Sequence, residues 1–335
     1  MKKLVQKGRF ETECGFVFDH IEISYHTYGS LNSSGDNVIW ICHALTANSD
    51  VEAWWPGMVG EGCAFDTSEY FVVCANILGS CYGTTGPSSL NENTGKPWAG
   101  YFPVITVRDV VKIHELLRNH LGIEKIHAIT GSSIGGYQAL EYCLMRPGLI
   151  SNLVFIASAA RQSPWAIAFN QSQRLSIEAD NSFTKESADG GQKGLKAARS
   201  IALLSYRTPY AYNTTQAETD DEATGSYKAS SYQDYQGDKL VKRFNAWSYY
   251  RLSQLSDSHN VGRGRGGVEK ALSGLTSRTL CIGITSDILY PPAEQRLVAE
   301  SVPDGKFAEI DSFFGHDGFL IETKKVTSLI KDFLY

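Results

Sequence analysis

The 335-residue sequence predicts an α/β fold, in which a mostly parallel β-sheet carries helices on both faces and a helical cap is inserted. Short apolar runs alternate with helical stretches through the first half, which is the pattern of a parallel sheet with crossover helices. The strand predicted at 153–157 is separated from the next, at 279–284, by a long stretch rich in Ser, Gln, Ala, Tyr and charge. We therefore expect a core formed by 1–160 and 265–335, interrupted by a cap at 161–264.

The predicted core elements follow from residue spacing. Val110, Ile113 and Leu117 recur at helical intervals, and Gly122 supplies a stop signal. The same reasoning gives further helices at 137–145, 293–300 and 317–333 and helical patches in the cap at 193–204 and 239–255. β-Branched and aromatic runs predict strands at 38–42, 70–75, 126–130, 153–157, 279–284 and 308–310.

Composition narrows the class of protein. With 42% hydrophobic and 20% charged residues, the chain has the make-up of an ordinary globular protein, and no apolar run is long enough to cross a bilayer. The first seven residues lack the apolar segment of a secretory signal, so we expect a cytoplasmic protein without a membrane partner. A net charge of −5 without a Lys/Arg block argues against a nucleic-acid partner.

Seven cysteines are scattered along the chain without a CxxC pair or a Cys/His cluster at zinc-ligand spacing. We expect most of them to be small buried hydrophobic residues. The sequence therefore predicts no metal site.

The strongest functional signal is Gly131-x-Ser133-x-Gly135, which follows the strand at 126–130 and opens a helix. This spacing and context are those of the nucleophile elbow in the α/β-hydrolase fold, where a strained turn exposes the serine hydroxyl. We therefore predict Ser133 as a nucleophile. The Ile134 amide, at the start of the helix, is predicted to donate to the anion that forms at the acyl carbon.

A serine nucleophile needs a base and a group that orients the base, and in this fold the order is Ser, acid, His. Asp287 follows the strand at 279–284, and His316 follows the strand at 308–310. We predict His316 as the base and Asp287 as the orienting acid. Asp317 is a rival for the acid, but its adjacency to His316 makes it hard for the two side chains to face each other.

A second oxyanion donor is predicted in the loop after the strand at 38–42. His43-Ala44-Leu45-Thr46 lies where this fold supplies that donor, so we assign the role to the Leu45 amide and a loop-shaping role to His43. The remaining histidines are predicted to be structural or solvated.

The chain resembles the homoserine O-acetyltransferases of the α/β-hydrolase superfamily along most of its length. The matching segments are His43-Ala44-Leu45-Thr46, Asn76-Ile77-Leu78-Gly79, Gly83-Thr84-Thr85-Gly86-Pro87-Ser88-Ser89, Phe102-Pro103-Val104-Ile105-Thr106-Val107-Arg108-Asp109, Gly135-Gly136-Tyr137-Gln138-Ala139-Leu140-Glu141, Phe169-Asn170-x-x-Gln173-Arg174, Tyr235-Gln236-Gly237-Asp238-Lys239-Leu240 and Gly315-His316-Asp317.

The resemblance implies a ping-pong transfer in methionine biosynthesis. Ser133 would take an acetyl group from acetyl-CoA, a co-substrate rather than a bound cofactor, and pass it to the hydroxyl of L-homoserine with His316 as the base. Arg174 would bind the carboxylate of the amino acid, and Asp317 would bind its ammonium group. The resemblance also implies a homodimer joined through the caps.

Several departures from the family pattern leave the substrates open. They are Ser132 and Ile134 in the elbow, Ala47-Asn48-Ser49 after the predicted oxyanion loop, and Asn245 and Trp247 in the cap. Succinyl-CoA in place of acetyl-CoA, or serine in place of homoserine, are the alternatives within the fold family. An esterase or amidase with the same triad, and a non-catalytic binding module, are the alternatives outside it.

Overall fold

An eight-stranded sheet forms the centre of the computed structural model, which describes residues 1–335. The strands occur in the spatial order β1-β2-β4-β3-β5-β6-β7-β8, and every neighbouring pair from β4 onward is parallel. Their bounds are β1 Lys2–Glu11, β2 Val17–Tyr28, β3 Val38–Cys42, β4 Phe71–Ala75, β5 Ile126–Ser132, β6 Ile150–Ile156, β7 Arg278–Ile284 and β8 Gly305–Ile310.

The first two strands form an antiparallel hairpin, and β2 also pairs antiparallel with β4. The sequence did not predict this hairpin, because β1 lies at the edge of the sheet and its residues are mostly exposed. An edge strand with little buried surface needs few apolar residues, so its composition does not distinguish it from a loop. A small second hairpin pairs Leu90–Asn91 with Lys96–Pro97.

Helices cover both faces of the sheet. A large apolar cluster, which includes Val110, Leu117 and Leu140, fills one face, and a smaller one, which includes Val326 and Ile330, fills the other. The helices are α1 Val51–Trp54, α2 Val107–His120, α3 Ile134–Met145, α4 Pro164–Glu178, α5 Gln192–Tyr206, α6 Pro209–Thr215, α7 Lys228–Val241, α8 Ala246–Asp257, α9 Val268–Ser273, α10 Pro292–Ser301, α11 Gly318–Ile321 and α12 Thr323–Leu334. The predicted α/β fold with an inserted group of helices is confirmed.

The inserted group lies between β6 and β7 and contains helices α4 to α8, all within the range 161–264. Helix α5 is central to it, since it packs against both α4 and α7. Leu195, Ala198 and Leu240 are buried at these contacts. We refer to α4 to α8 and their connections as the cap.

The sequence predicted one C-terminal helix at 317–333, and this prediction is wrong because the structure has two helices there. The structure has a short 3₁₀ turn at Gly315–Asp317, then α11, and then α12. The break falls at Glu322, whose backbone leaves the helical region at φ −85° and ψ 41°. His316 lies in the 3₁₀ turn that precedes α11.

Two negative findings bear on function. No helix combines the length with the apolar composition that a membrane crossing requires. No group of three or more His, Cys, Asp or Glu side chains is arranged to hold a metal ion.

Candidate active site

Ser133 occupies a sharp turn between β5 and α3, with φ 56° and ψ −128°. Positive φ is uncommon for a residue other than glycine and indicates local strain. A Cβ on Gly131 would lie 2.1 Å from the Gly135 carbonyl oxygen, and a Cβ on Gly135 would lie 2.1 Å from that of Cys42. The turn therefore closes only because both flanking positions lack a side chain.

The imidazole of His316 and the carboxylate of Asp287 form a buried pair, with 2.6 Å between Nδ1 and Oδ2. The other carboxylate oxygen, Oδ1, accepts hydrogen bonds from the amides of Leu289 and Tyr290, at 2.8 and 2.9 Å. These bonds fix the carboxylate, and the carboxylate fixes the imidazole with a proton on Nδ1 and Nε2 free to act as a base.

Two opposing effects act on the pKa of His316. Burial disfavours the charged imidazolium and lowers the pKa, whereas the charge of Asp287, the hydrogen bond to it and the charge of Asp317 raise it. The net result is a pKa above the ordinary value. The pair is therefore built to stabilise an imidazolium formed during a reaction.

Three aromatic rings surround the imidazole. The ring centroids of Tyr290, Phe319 and Tyr206 lie 5.2, 5.4 and 5.7 Å from that of His316. His316 and Ser133 line the same cavity, but no hydrogen bond joins the two side chains in the free protein. Such bonds often tighten only in the substrate complex.

The loop after β3 forms a tight turn over residues 44–47, closed by a 3.0 Å hydrogen bond from the Ala47 amide to the Ala44 carbonyl. The Leu45 amide, inside this turn, has no hydrogen-bond partner in the protein. Ile134 is the first residue of α3, where the amide has no partner within the helix. Both predicted oxyanion donors are thus free to bind an anion.

His43 supports this loop, as predicted. Its Nδ1 donates to the Ala44 carbonyl at 2.9 Å, and its Nε2 accepts from the Ile77 amide at 3.2 Å. Burial lowers the pKa of His43 to about 4, so the ring is neutral and can make both bonds near pH 7.

A cavity of about 440 Å³ lies between the core and the cap and includes Ser133 and His316. Its core side is largely apolar, with Leu45 and Trp54 among the lining residues. Its cap side carries three cations, Arg199, Lys239 and Arg243, none of which is ion-paired with a carboxylate. A site with a nucleophile, a base and unpaired cations suits an acyl donor and an anionic substrate.

The two residues predicted to bind the amino-acid substrate lie in different places. Asp317 lines the cavity, where Nε of Arg207 donates to its Oδ2 at 2.7 Å. Arg174 does not line the cavity, because it is buried in the cap with Asp257 at 2.6 Å and Ser253 at 2.7 Å. The carboxylate-binding role predicted for Arg174 therefore does not fit its position in the structure.

Comparison with known proteins agrees with this geometry. The family described as the α/β-hydrolase fold matches residues 37–323. A homoserine O-acetyltransferase from Cyclobacterium marinum is 46% identical over 96% of this chain and 91% of its own length. One from Chlorobium luteolum is 41% identical over 97% of this chain and 91% of its own length. The chain belongs to the homoserine O-acetyltransferase family.

Solved structures support the same fold. The homoserine O-acetyltransferase of Staphylococcus aureus is 28% identical, with a TM-score of 0.82 over 99% of this chain and 94% of its own. The Bacillus anthracis homoserine O-acetyltransferase and esterase E22 each have a TM-score of 0.92 at 24% identity, and cover 99% and 100% of this chain and 96% and 100% of their own. At that identity they establish the fold alone.

Arg199 is a cavity residue of this homoserine O-acetyltransferase family member that the sequence did not predict as a ligand. Arg199 and Tyr206 lie seven positions apart on α5, two helical turns, and both line the cavity. The guanidinium carbon of Arg199 is 5.5 Å from the centre of the Tyr206 ring. The spacing was visible in the sequence, but nothing in it indicated that this face of α5 would meet the core.

Proposed function

We propose that the protein transfers an acetyl group from acetyl-CoA to the hydroxyl of L-homoserine, through an ester on Ser133, as a step in methionine biosynthesis. The observation that carries the proposal is that one cavity is lined by Ser133, His316 and two side chains of opposite charge, Arg199 and Asp317. An amino acid presents a carboxylate and an ammonium group, and these two side chains offer the opposite charge to each.

In the first half-reaction, the Ser133 hydroxyl gives its proton to Nε2 of His316 as Oγ attacks the thioester carbonyl of acetyl-CoA. The Leu45 and Ile134 amides donate hydrogen bonds to the resulting oxyanion. Asp287 stabilises the imidazolium. The carbon–sulfur bond then breaks, the CoA thiolate takes the proton from His316, and the acetyl group remains on Ser133.

In the second half-reaction, the homoserine hydroxyl gives its proton to His316 and attacks the acetyl-Ser133 carbonyl. The tetrahedral intermediate collapses, Oγ of Ser133 leaves and takes the proton back, and O-acetyl-homoserine is released. Both half-reactions use the same base and the same oxyanion donors, as a ping-pong mechanism allows.

The amino-acid clamp is assigned to Arg199 and Asp317. Arg199 has no carboxylate partner in the protein, so its guanidinium is free to bind the substrate carboxylate. Arg207 holds Oδ2 of Asp317, which leaves Oδ1 for the substrate ammonium group. The two contacts together would aim the side-chain hydroxyl at the acyl carbon.

The decisive experiment measures free thiol release from acetyl-CoA with and without L-homoserine. We expect release to accelerate with homoserine and O-acetyl-homoserine to appear in equal amount. Release that is indifferent to homoserine would indicate an esterase, in which water deacylates Ser133. Intact-protein mass spectrometry after mixing with acetyl-CoA or succinyl-CoA identifies the donor, and replacing homoserine with serine identifies the acceptor.

We further propose a cytoplasmic homodimer joined through the caps. The cap exposes large apolar side chains, including Trp165, Leu204 and Tyr210, each more than half exposed in the single chain. All seven cysteines are free, which suits a reducing compartment. Light scattering during gel filtration tests the dimer, and Leu204→Glu is expected to shift it towards the monomer.

A further inference from the structure

Arg243 crosses from the cap to the core immediately after α7. Its Nη1 donates to the Thr46 carbonyl and, at 2.7 Å, to the Tyr82 hydroxyl, while Nη2 lies 3.4 Å from the Thr46 hydroxyl. It makes no ion pair with a carboxylate. The guanidinium of Arg243 therefore hydrogen-bonds the core at Tyr82 and at the loop after β3.

That loop is the one with the free Leu45 amide, and its other ties all come from the core. His43 and the Ala47 amide both donate to the Ala44 carbonyl, which holds the start of the turn. Further along, the Ser49 amide donates to the side-chain oxygen of Asn76 at 2.7 Å. Between these anchors, Arg243 provides the only side-chain hydrogen bond to the Thr46 backbone.

Tyr82 extends the same arrangement. Its hydroxyl accepts from Arg243, and its carbonyl accepts from the Asn76 side chain at 2.8 Å. Asn76 in turn holds Ser49. Arg243 thus joins a small hydrogen-bonded frame around residues 46–49 and completes it from the cap side.

We propose that Arg243 is a positioning residue that holds the 44–47 turn, and with it the Leu45 amide, in the geometry that receives the oxyanion. The inference rests on the proposed function only in taking Leu45 as an oxyanion donor. Its consequence is that a seated cap is needed for acylation of Ser133 as well as for binding of the amino acid.

A different role for the same cation would be docking of the CoA phosphates, together with Lys239 at the same cavity. Hydrogen bonds to Thr46 and Tyr82 favour the positioning role, because they already use Nη1 of the guanidinium and direct Nη2 towards the Thr46 hydroxyl. The two roles differ in one respect that can be measured. Positioning affects every acyl donor, whereas phosphate docking affects only donors that carry phosphate.

The test compares Ser133 acylation by acetyl-CoA and by p-nitrophenyl acetate, which has no phosphate, in the full-length protein. For Arg243→Met we expect both acylation rates to fall roughly 10- to 100-fold, since the donor is loosened but not removed. The acylation rates of Arg243→Lys should fall less than those of Arg243→Met.

In Arg243→Met, the KM for homoserine should change less than about twofold. The acid limb of the pH profile should not move, because the His316–Asp287 pair is untouched.

Two further variants separate positioning from a general effect. Lys242→Met removes the neighbouring exposed cation, whose side chain makes no hydrogen bond and does not line the cavity, and should leave both rates unchanged. Tyr82→Phe removes one acceptor of Arg243 and should reproduce a smaller loss with both donors. Addition of ethylguanidinium to Arg243→Ala should restore part of the rate, which a folding defect would not allow.

Three results would overturn the proposal. A loss confined to acetyl-CoA would assign Arg243 to the CoA phosphates, and rates within about twofold of the parent with both donors would remove any role in acylation. An equal loss in Lys242→Met would indicate a general charge effect. None of these depends on homoserine, so they remain distinct from failure of acetyl transfer to the amino acid.

Discussion

The core and the cap contribute to the cavity in different ways. The core presents Ser133, Asp287 and His316 on short loops at the ends of strands, each held by backbone hydrogen bonds or by glycine contacts. The cap presents Arg199 and Arg243 as long side chains from helices or helix ends. The core therefore holds its catalytic candidates through its backbone. The roles proposed for the cap, substrate binding by Arg199 and positioning of the 44–47 turn by Arg243, depend instead on side chains that a single substitution can change.

The largest expected effect is that of Ser133→Ala, which tests the core half of this comparison. Loss of the nucleophile should lower turnover roughly 10⁴- to 10⁶-fold and abolish the mass increase of one acetyl group after mixing with acetyl-CoA. The thermal unfolding midpoint should stay close to that of the parent. An acetylated Ser133→Ala protein would show that another residue carries the acyl group.

Asp287→Asn is expected to have the second largest effect, a loss of about 10⁴-fold in kcat. The amide would no longer hold the imidazole in the required tautomer. In the parent, activity should fall as the pH drops through the pKa of His316, which the Asp287 carboxylate raises against the effect of burial. Removing that charge should move the acid limb of the kcat/KM profile to lower pH. An unmoved acid limb would mean that another group controls it.

Arg199→Met tests the cap half. Loss of the proposed carboxylate contact should lower kcat/KM for homoserine roughly 30- to 150-fold, corresponding to about 2–3 kcal/mol. The defect should appear in the transfer to homoserine, as measured by the disappearance of preformed acetyl-enzyme at varied homoserine. A defect confined to acylation by acetyl-CoA would contradict the assignment.

Arg174→Met tests a cap arginine that does not line the cavity, and it should have the smallest effect on turnover. It leaves Asp257 without its cation in a partly buried site, so we expect the free energy of unfolding to fall by about 3 kcal/mol. The KM for homoserine should change less than about threefold. Unchanged urea stability together with a large rise in KM would restore the carboxylate-binding role that the sequence predicted for Arg174.

The predicted core elements match the structure closely because each depends on local sequence. The strand at 38–42 coincides with β3. The pairing of Asp287 with His316 joins distant segments and was predicted from the order of triad residues in this fold. Glycine spacing identified the elbow, since only residues without a side chain tolerate a 2.1 Å approach. Patterns that arise within one segment can be found without knowledge of the rest of the chain.

The failures concern contacts between distant segments. Arg174 has the motif that suggested a ligand, but helix packing directs it to Asp257. Arg199 reaches the cavity because α5 lies between α4 and α7 over the core, an arrangement that the amphipathic pattern of α5 does not specify. The exposed edge strand β1 was missed because it buries too little surface to leave an apolar pattern.

The position of helix α5 limits how this protein could come to use a different acceptor. Its residue 199 lines the cavity, and two turns later the ring of its residue 206 lies 5.7 Å from the imidazole of His316. A rigid helix that carries both cannot be tilted to fit a longer or shorter amino acid without also disturbing proton transfer. Changes of specificity should therefore come from exchanging side chains along α5 while its axis stays where it is.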